Sequence, residues 1–177
     1  MRIVLILIAA IPIPAAVIAG YVLLNREPIP YSGQLVSVNV YPIHRDITSK
    51  TTVEGIGGQA ETYDEIIVLA DVSIKDVGKI PLFLHDMSAT ALLPDETDTS
   101  TAASGTDFNN IFTAYPDLKQ YEKAPLRRDL TLQPGQQTEG MMVFNYQLNK
   151  TQWDSRSGMD INISFLHHPP MVLHIAK

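Results

Sequence analysis

Glu65 to Lys75 reads E-I-I-V-L-A-D-V-S-I-K, and this stretch decides the fold because apolar residues occupy alternate positions in it. The alternating residues are Ile66, Val68, Ala70, Val72 and Ile74. In an extended strand, residues two apart lie on the same face, so we expect these five to be buried. The opposite face carries Asp71, Ser73 and Lys75, which we expect to point to water.

Other stretches share this alternation. They are Gln34–Tyr41 with Val36, Val38 and Val40 facing inward, Thr52–Val53, Pro81–Leu93 with Leu82 and Leu84 buried, Gly140–Leu148, Asp160–Leu166 and Met171–Ala176. Turn signals separate them, among them Asp76–Lys79, where Gly78 is free to take positive φ, and Pro134–Gly135. Counting them all gives about seven strands, which is typical of a mainly β, immunoglobulin-like two-sheet β-sandwich.

One short helix interrupts the β pattern. Residues 94–105 have no apolar period and are predicted to be a mobile loop, after which Thr106 caps the helix and Pro116 ends it. An apolar stripe falls at helical spacing: Phe108, Ile111, Phe112 and Tyr115. We expect it to pack on the sandwich with Phe112 buried, and the rival interpretation is an exposed partner-binding surface. A single helical turn at Thr151–Asp154 is expected to place Trp153 over the core edge.

The N-terminal segment is apolar and without charge from Ile3 to Leu24. Its 22 residues span about 33 Å as a helix, close to the hydrocarbon thickness of a bilayer. The sequence therefore predicts a transmembrane anchor or signal segment at 1–25, a linker at 26–33 and the sandwich at 34–177. A short N-terminus normally stays inside, which places the sandwich outside the cytoplasm, in the periplasm. The alternative is a secreted domain, cleaved after Val17-Ile18-Ala19.

Composition excludes several classes of protein. The chain carries 13 Lys and Arg against 19 Asp and Glu, a net charge of −6, so nucleic acid is not an expected partner. This acidity also argues against binding anionic lipid headgroups beyond the anchor itself. There is no cysteine, which excludes a disulfide framework, thiolate metal sites and a cysteine nucleophile.

One turn after a strand reads Ile74-Lys75-Asp76-Val77-Gly78-Lys79-Ile80-Pro81-Leu82, and a later stretch runs from Pro134-Gly135 through Gly140 to Phe144. These two stretches resemble the DUF4352 type of small exported bacterial immunoglobulin-like domain. Domains of that type carry an Asn-Thr-Gly-x-x-Pro turn after a strand, and later a Pro-Gly-x-x-x-x-Gly before a strand with a Phe. The resemblance implies fold and location, and it transfers no active site.

No motif in the sequence indicates catalysis or a cofactor. There is no nucleophile elbow, zinc-protease helix or phosphate loop, and the acidic loop at Asp95–Asp98 lacks the spacing of a calcium loop. Imidazole and thioether suit Cu(I), so the metal candidates are His85 and Met87, which we expect to share a strand face, together with the histidine-rich C-terminal end. Surface histidine with core methionine is the ordinary interpretation.

The sequence thus predicts a non-catalytic, membrane-tethered module that binds an envelope protein or has a structural role. The alternative is a periplasmic copper-handling protein.

Overall fold

A computed structural model describes residues 21, 28–48 and 60–177. The predicted anchor at Ile3–Leu24, apart from Tyr21, and the predicted strand at Thr52–Val53 lie outside these residues. Within the described part of the chain, no helix is both long and apolar enough to cross a membrane.

The strands are β1 Tyr31–Thr48, β2 Ala60–Asp76, β3 Leu82–Leu92, β4 Thr97–Thr101, β5 Thr131–Leu132, β6 Gln137–Tyr146, β7 Gly158–Phe165 and β8 Met171–Ala176. The helices are α1 Gly105–Ala114 and α2 Lys150–Ser155, with a 3-10 helix at Pro116–Tyr121. The strands form two antiparallel sheets, ordered β1-β2-β6 and β4-β3-β7-β8, with β5 paired to β3. The predicted mainly β class is therefore confirmed.

The principal core lies between the two sheets. All five alternating apolar residues of β2 are fully buried in it, as their spacing predicts. Sheet β1-β2-β6 also contributes Met142, Phe144 and Tyr146, and the facing sheet contributes Ile161, Ile163 and Phe165. Trp153 of α2 is buried at the edge of this core beside the Tyr146 ring, which confirms its predicted position.

A second apolar cluster covers the outer face of sheet β1-β2-β6. Phe108 and Phe112 of α1 are buried there against Ile67, Leu69 and Val143, so the packing interpretation of the helical stripe is confirmed. The helix N-cap is Ser104 rather than Thr106, because the Ser104 hydroxyl accepts from the Asp107 backbone N–H.

The expectation that the polar face of β2 points to water is wrong for two of its three residues. Asp71 and Ser73 are buried, and each is bonded to a polar side chain. The Asp71 carboxylate pairs with Lys123, and Ser73 accepts a 2.9 Å hydrogen bond from Gln137. Lys75 is exposed as predicted.

Strand β1 begins at Tyr31, so residues 31–33 are strand rather than linker. Tyr31 stacks on Phe165 at 5.2 Å between ring centroids, and its hydroxyl donates to the Pro169 carbonyl at 2.8 Å. A bulge between Leu35 and Ser37 leaves Val36 unpaired and exposed. Of the three valines expected to face inward, only Val38 packs on the core, and Val40 is also exposed at the sheet edge.

The predicted mobile loop at 94–105 contains strand β4. Thr97–Thr101 pairs with β3 in register from Leu92↔Thr97 to Ser88↔Thr101. It is an edge strand with its side chains exposed or half-buried, so it carries no apolar alternation for a sequence pattern to reveal.

Candidate interaction face

Three tyrosines meet on the outer face of sheet β1-β2-β6, beyond the cluster under α1. Tyr41 lies on β1, Tyr63 on β2, and Tyr115 is the C-cap of α1. The rings of Tyr41 and Tyr115 are 6.4 Å apart between centroids, inclined by 59°. Arg45 pairs with Tyr63 across the β1–β2 ladder, so it lies on the same face. We call Tyr41, Arg45, Tyr63, Glu65 and Tyr115 the tyrosine face.

Glu65 is the buried anionic centre of the tyrosine face. The Tyr115 hydroxyl donates to its carboxylate at 3.2 Å. Burial, followed by the field of the Glu65 carboxylate, raises the pKa of the Tyr63 and Tyr115 phenols above the ordinary value, while the positive charge of Arg45 opposes that rise. Both phenols are therefore neutral hydrogen-bond donors at physiological pH, held by a fixed acceptor.

Arg45 supplies the positive charge of the tyrosine face. Its guanidinium carbon lies 4.9 Å from the centroid of the Tyr115 ring, within the range of a cation–π contact. The Arg45 side chain is exposed, and so is Tyr63. Exposed tyrosine and arginine are the residue types enriched at protein–protein contact centres, because they combine apolar area with directional polar groups.

A groove of about 400 Å³ runs from the tyrosine face along α1. Tyr115 lines it and joins the two features. The apolar wall is formed by Ile111, Ala114 and Val143, and polar side chains include Asp107, Asn110 and Asn145. A concave apolar strip with a polar rim, next to exposed aromatic rings, is suited to hold an extended or helical segment of a protein partner.

The two metal candidates do not share a surface. A bulge between Leu84 and Asp86 reverses the alternation of β3, so His85 is exposed while Met87 is buried. The expectation that the two side chains lie on one strand face is wrong for this reason. Met87 instead lines a cavity of about 220 Å³ with Met141 and Met142, and Arg127 and Arg128 lie at the same cavity.

Two of the other histidines pair with carboxylates. His174 is 2.6 Å from Asp160 and His44 is 2.7 Å from Asp64, each as an exposed pair, and His167 has a φ of 64° in the turn between β7 and β8. Among residues 28–48 and 60–177, no three His, Asp or Glu side chains are grouped so as to hold a metal ion.

The sequence did not reveal the tyrosine face. One local signal was present: Tyr63 and Glu65 are two residues apart and therefore share a strand face. The partners from β1 and α1 come from distant parts of the sequence, with Tyr115 lying 50 residues from Glu65. Only the observed register and helix position bring them together.

No family model and no curated protein matches the chain. Among solved structures, it is similar to a functionally unknown protein from Listeria monocytogenes EGD-e, with 8% identity, a TM-score of 0.45, and 85% of this chain and 79% of that chain covered. A conserved hypothetical protein from Bacillus anthracis shows 15% identity and a TM-score of 0.34, over 82% and 99% of the two chains. The putative ApaA protein from Bordetella pertussis shows 12% identity and a TM-score of 0.31, over 84% and 93%.

Proposed function

We propose that this chain is a non-catalytic, membrane-tethered module that binds another envelope protein through the tyrosine face and the adjoining groove. The observation that carries the proposal is the exposed Tyr63 and Arg45 side chains around the buried Glu65 carboxylate. The buried Glu65 and the half-buried Tyr115 fix the geometry in advance, so little side-chain freedom is lost when a partner binds.

In-cell photocrosslinking tests the binding face. A photoreactive phenylalanine analogue at position 63 is expected to capture a defined partner, and Arg45→Ala is expected to abolish that product without changing the melting temperature. Tyr121, on the 3-10 helix, is the matched control because it is 38% exposed against 36% for Tyr63. Equal capture from positions 63 and 121, or capture that survives Arg45→Ala, would overturn the proposed face.

The tether is supported by the uncharged apolar run from Ile3 to Leu24. With the native N-terminus, the protein is expected to remain in membranes through alkaline carbonate extraction and to begin at Met1 or Arg2 by mass spectrometry. A mature chain that begins at Gly20 would establish the secreted alternative instead.

The immunoglobulin-like assignment is supported by the two antiparallel sheets and by the turn of the DUF4352 resemblance. The Asp76 carboxylate accepts a 2.7 Å hydrogen bond from the Gly78 backbone N–H, which is the local turn that an Asn at this position also forms. Gly78 does not take positive φ, and its lack of a side chain matters for space, since a Cβ there would lie 2.8 Å from the Pro30 Cβ.

Copper handling is the second candidate function. The candidate ligands are the thioethers of Met87, Met141 and Met142, which line one cavity. Asp129 also lines this cavity and pairs with Arg127 at 2.7 Å, so Arg128 supplies the remaining positive charge that disfavours a cation, and we rank this function below partner binding. Titration with Cu(I) separates the two functions. Submicromolar binding that is lost in Met87→Leu would establish the copper site, and loss in His85→Ala would show that His85 is also a ligand.

A further inference from the structure

The end of the molecule where β1 begins has an unusual surface. Four segments form this end, which we call the proximal end: residues 28–30, 77–81, 133–136 and 166–170. Backbone hydrogen bonds connect them to one another and to the neighbouring strands, including Val77 N–H to the Pro30 carbonyl at 2.8 Å and Leu166 N–H to the Phe83 carbonyl at 2.9 Å. The Tyr31–Pro169 hydrogen bond joins the two sheets here.

Large apolar side chains are exposed at the proximal end. Within the described residues, four of the eleven exposed large hydrophobic residues lie in these segments: Ile29, Val77, Ile80 and Leu166. Phe83 and Val172 lie two residues beyond them. Ile80, at the tip of the β2–β3 loop, is 58% exposed. Single exposed apolar residues are ordinary, but a concentration on one surface indicates a contact with a partner or a membrane.

The charge of the proximal end is opposite to that of the chain. Its four segments contain no Asp or Glu, although the whole chain has 19, and they carry Lys79, His167 and His168. The loop at the opposite end, between β3 and β4, instead exposes Asp95 and Glu96. The net acidity of the chain therefore does not disfavour anionic headgroups at this surface, because contact depends on the local charge.

The position of the apolar N-terminal run indicates that the proximal end contacts a bilayer. Seven residue steps separate Leu24 from Tyr31, a reach of at most about 25 Å for a fully extended chain. A bilayer that holds the run Ile3–Leu24 therefore lies within that distance of the proximal end and not of the acidic opposite end.

We propose that the proximal end is a membrane-contact surface, which rests on the tethering part of the proposed function. Ile80, Val77 and Leu166 insert at the interface of the bilayer, and Lys79 approaches anionic lipid phosphates. With this contact, the strands extend away from the bilayer surface. The tyrosine face, at the other end of β1, is then available to partners.

Lipid quenching of single labels tests this surface, and the cysteine-free chain makes each label unique. The full chain is reconstituted into vesicles of phosphatidylcholine with phosphatidylglycerol, and a nitrobenzoxadiazole label is placed on Ile80→Cys or Leu166→Cys. Asp95→Cys at the opposite end is the control. Headgroup spin-labelled lipid is expected to quench the labels at positions 80 and 166 several-fold more than the label at 95, and Lys79→Glu is expected to remove most of that difference.

The outcomes separate this proposal from the tether. Equal quenching at positions 80, 166 and 95 in a chain that floats with the vesicles overturns the contact surface and leaves the tether intact. Quenching that Lys79→Glu leaves unchanged overturns the role of lipid phosphates. A chain that does not float with vesicles overturns the tether and the contact surface together.

Discussion

Replacing Phe112 by Ala gives the sharpest test of how α1 is held on the sheet. Phe112 is 2% exposed, and its ring lies 4.9 Å from that of Phe108 between centroids. It packs against Ile67 and Leu69, whose strand is hydrogen-bonded on both sides, so the backbone cannot easily collapse into the cavity. Truncating a buried Phe in such a site costs about 3–5 kcal/mol, from lost transfer free energy and the cavity together.

The loss corresponds to a fall in melting temperature of about 10–15 °C for a domain of this size. Thermal unfolding of the purified protein, followed by far-UV circular dichroism, measures it. Phe83→Ala is the matched control, because Phe83 is 48% exposed and is expected to change the melting temperature by only a few degrees. If Phe112→Ala melts with the parent protein, α1 does not depend on this packing, and the helical stripe is free to bind a partner.

Three further predictions concern buried polar groups. The second carboxylate oxygen of Asp76 is buried without a hydrogen-bond donor among the described residues. Asp76→Asn is therefore expected to raise the melting temperature, and Asp76→Ala, which removes the bond to Gly78, is expected to lower it. A lower melting temperature for Asp76→Asn would contradict this. Lys123→Met leaves the Asp71 carboxylate unpaired and is expected to lower the unfolding free energy by about 2–3 kcal/mol in denaturant titrations, whereas Lys123→Met with Asp71→Leu should recover most of it. Burial raises the pKa of the Tyr146 phenol above its ordinary value of 10.0, so the folded protein favours the neutral phenol. The stability that Tyr146 contributes is therefore fully present below pH 10 and is lost as the pH rises above 10. Tyr146→Phe is expected to be less stable at pH 7, where it lacks the 2.8 Å bond to the Ala89 carbonyl, and to lose less stability than the parent above pH 10.

The sequence predicts the inner faces of β2, β6 and β7 because alternation and burial coincide there. It fails on the outer face, where Asp71 and Ser73 are buried although they are polar. Both are held by polar partners from distant parts of the sequence, Asp71 by Lys123 and Ser73 by Gln137. A period-two pattern reports the side that faces the core, and it carries no information about a second layer over the opposite side.

Two β-bulges decide which side chains of β1 and β3 share a face. Before the bulge at Val36, odd-numbered residues of β1, such as Leu35, face the principal core; after it, Val38 does. The bulge therefore turns Tyr41 and Arg45 to the outer face, and without it the same alternation would direct both toward the core.

The bulge in β3 has the opposite consequence for a predicted site. Leu82 and Leu84 face the core before it, and Met87 faces the core after it, so His85 is left on the solvent side. Neither bulge could be recognised from the local sequence, because Val36 and His85 are ordinary strand residues with no Gly or Pro beside them. One inserted residue thus assembles the tyrosine face, and another separates the only histidine–methionine pair that the sequence proposed as a metal site.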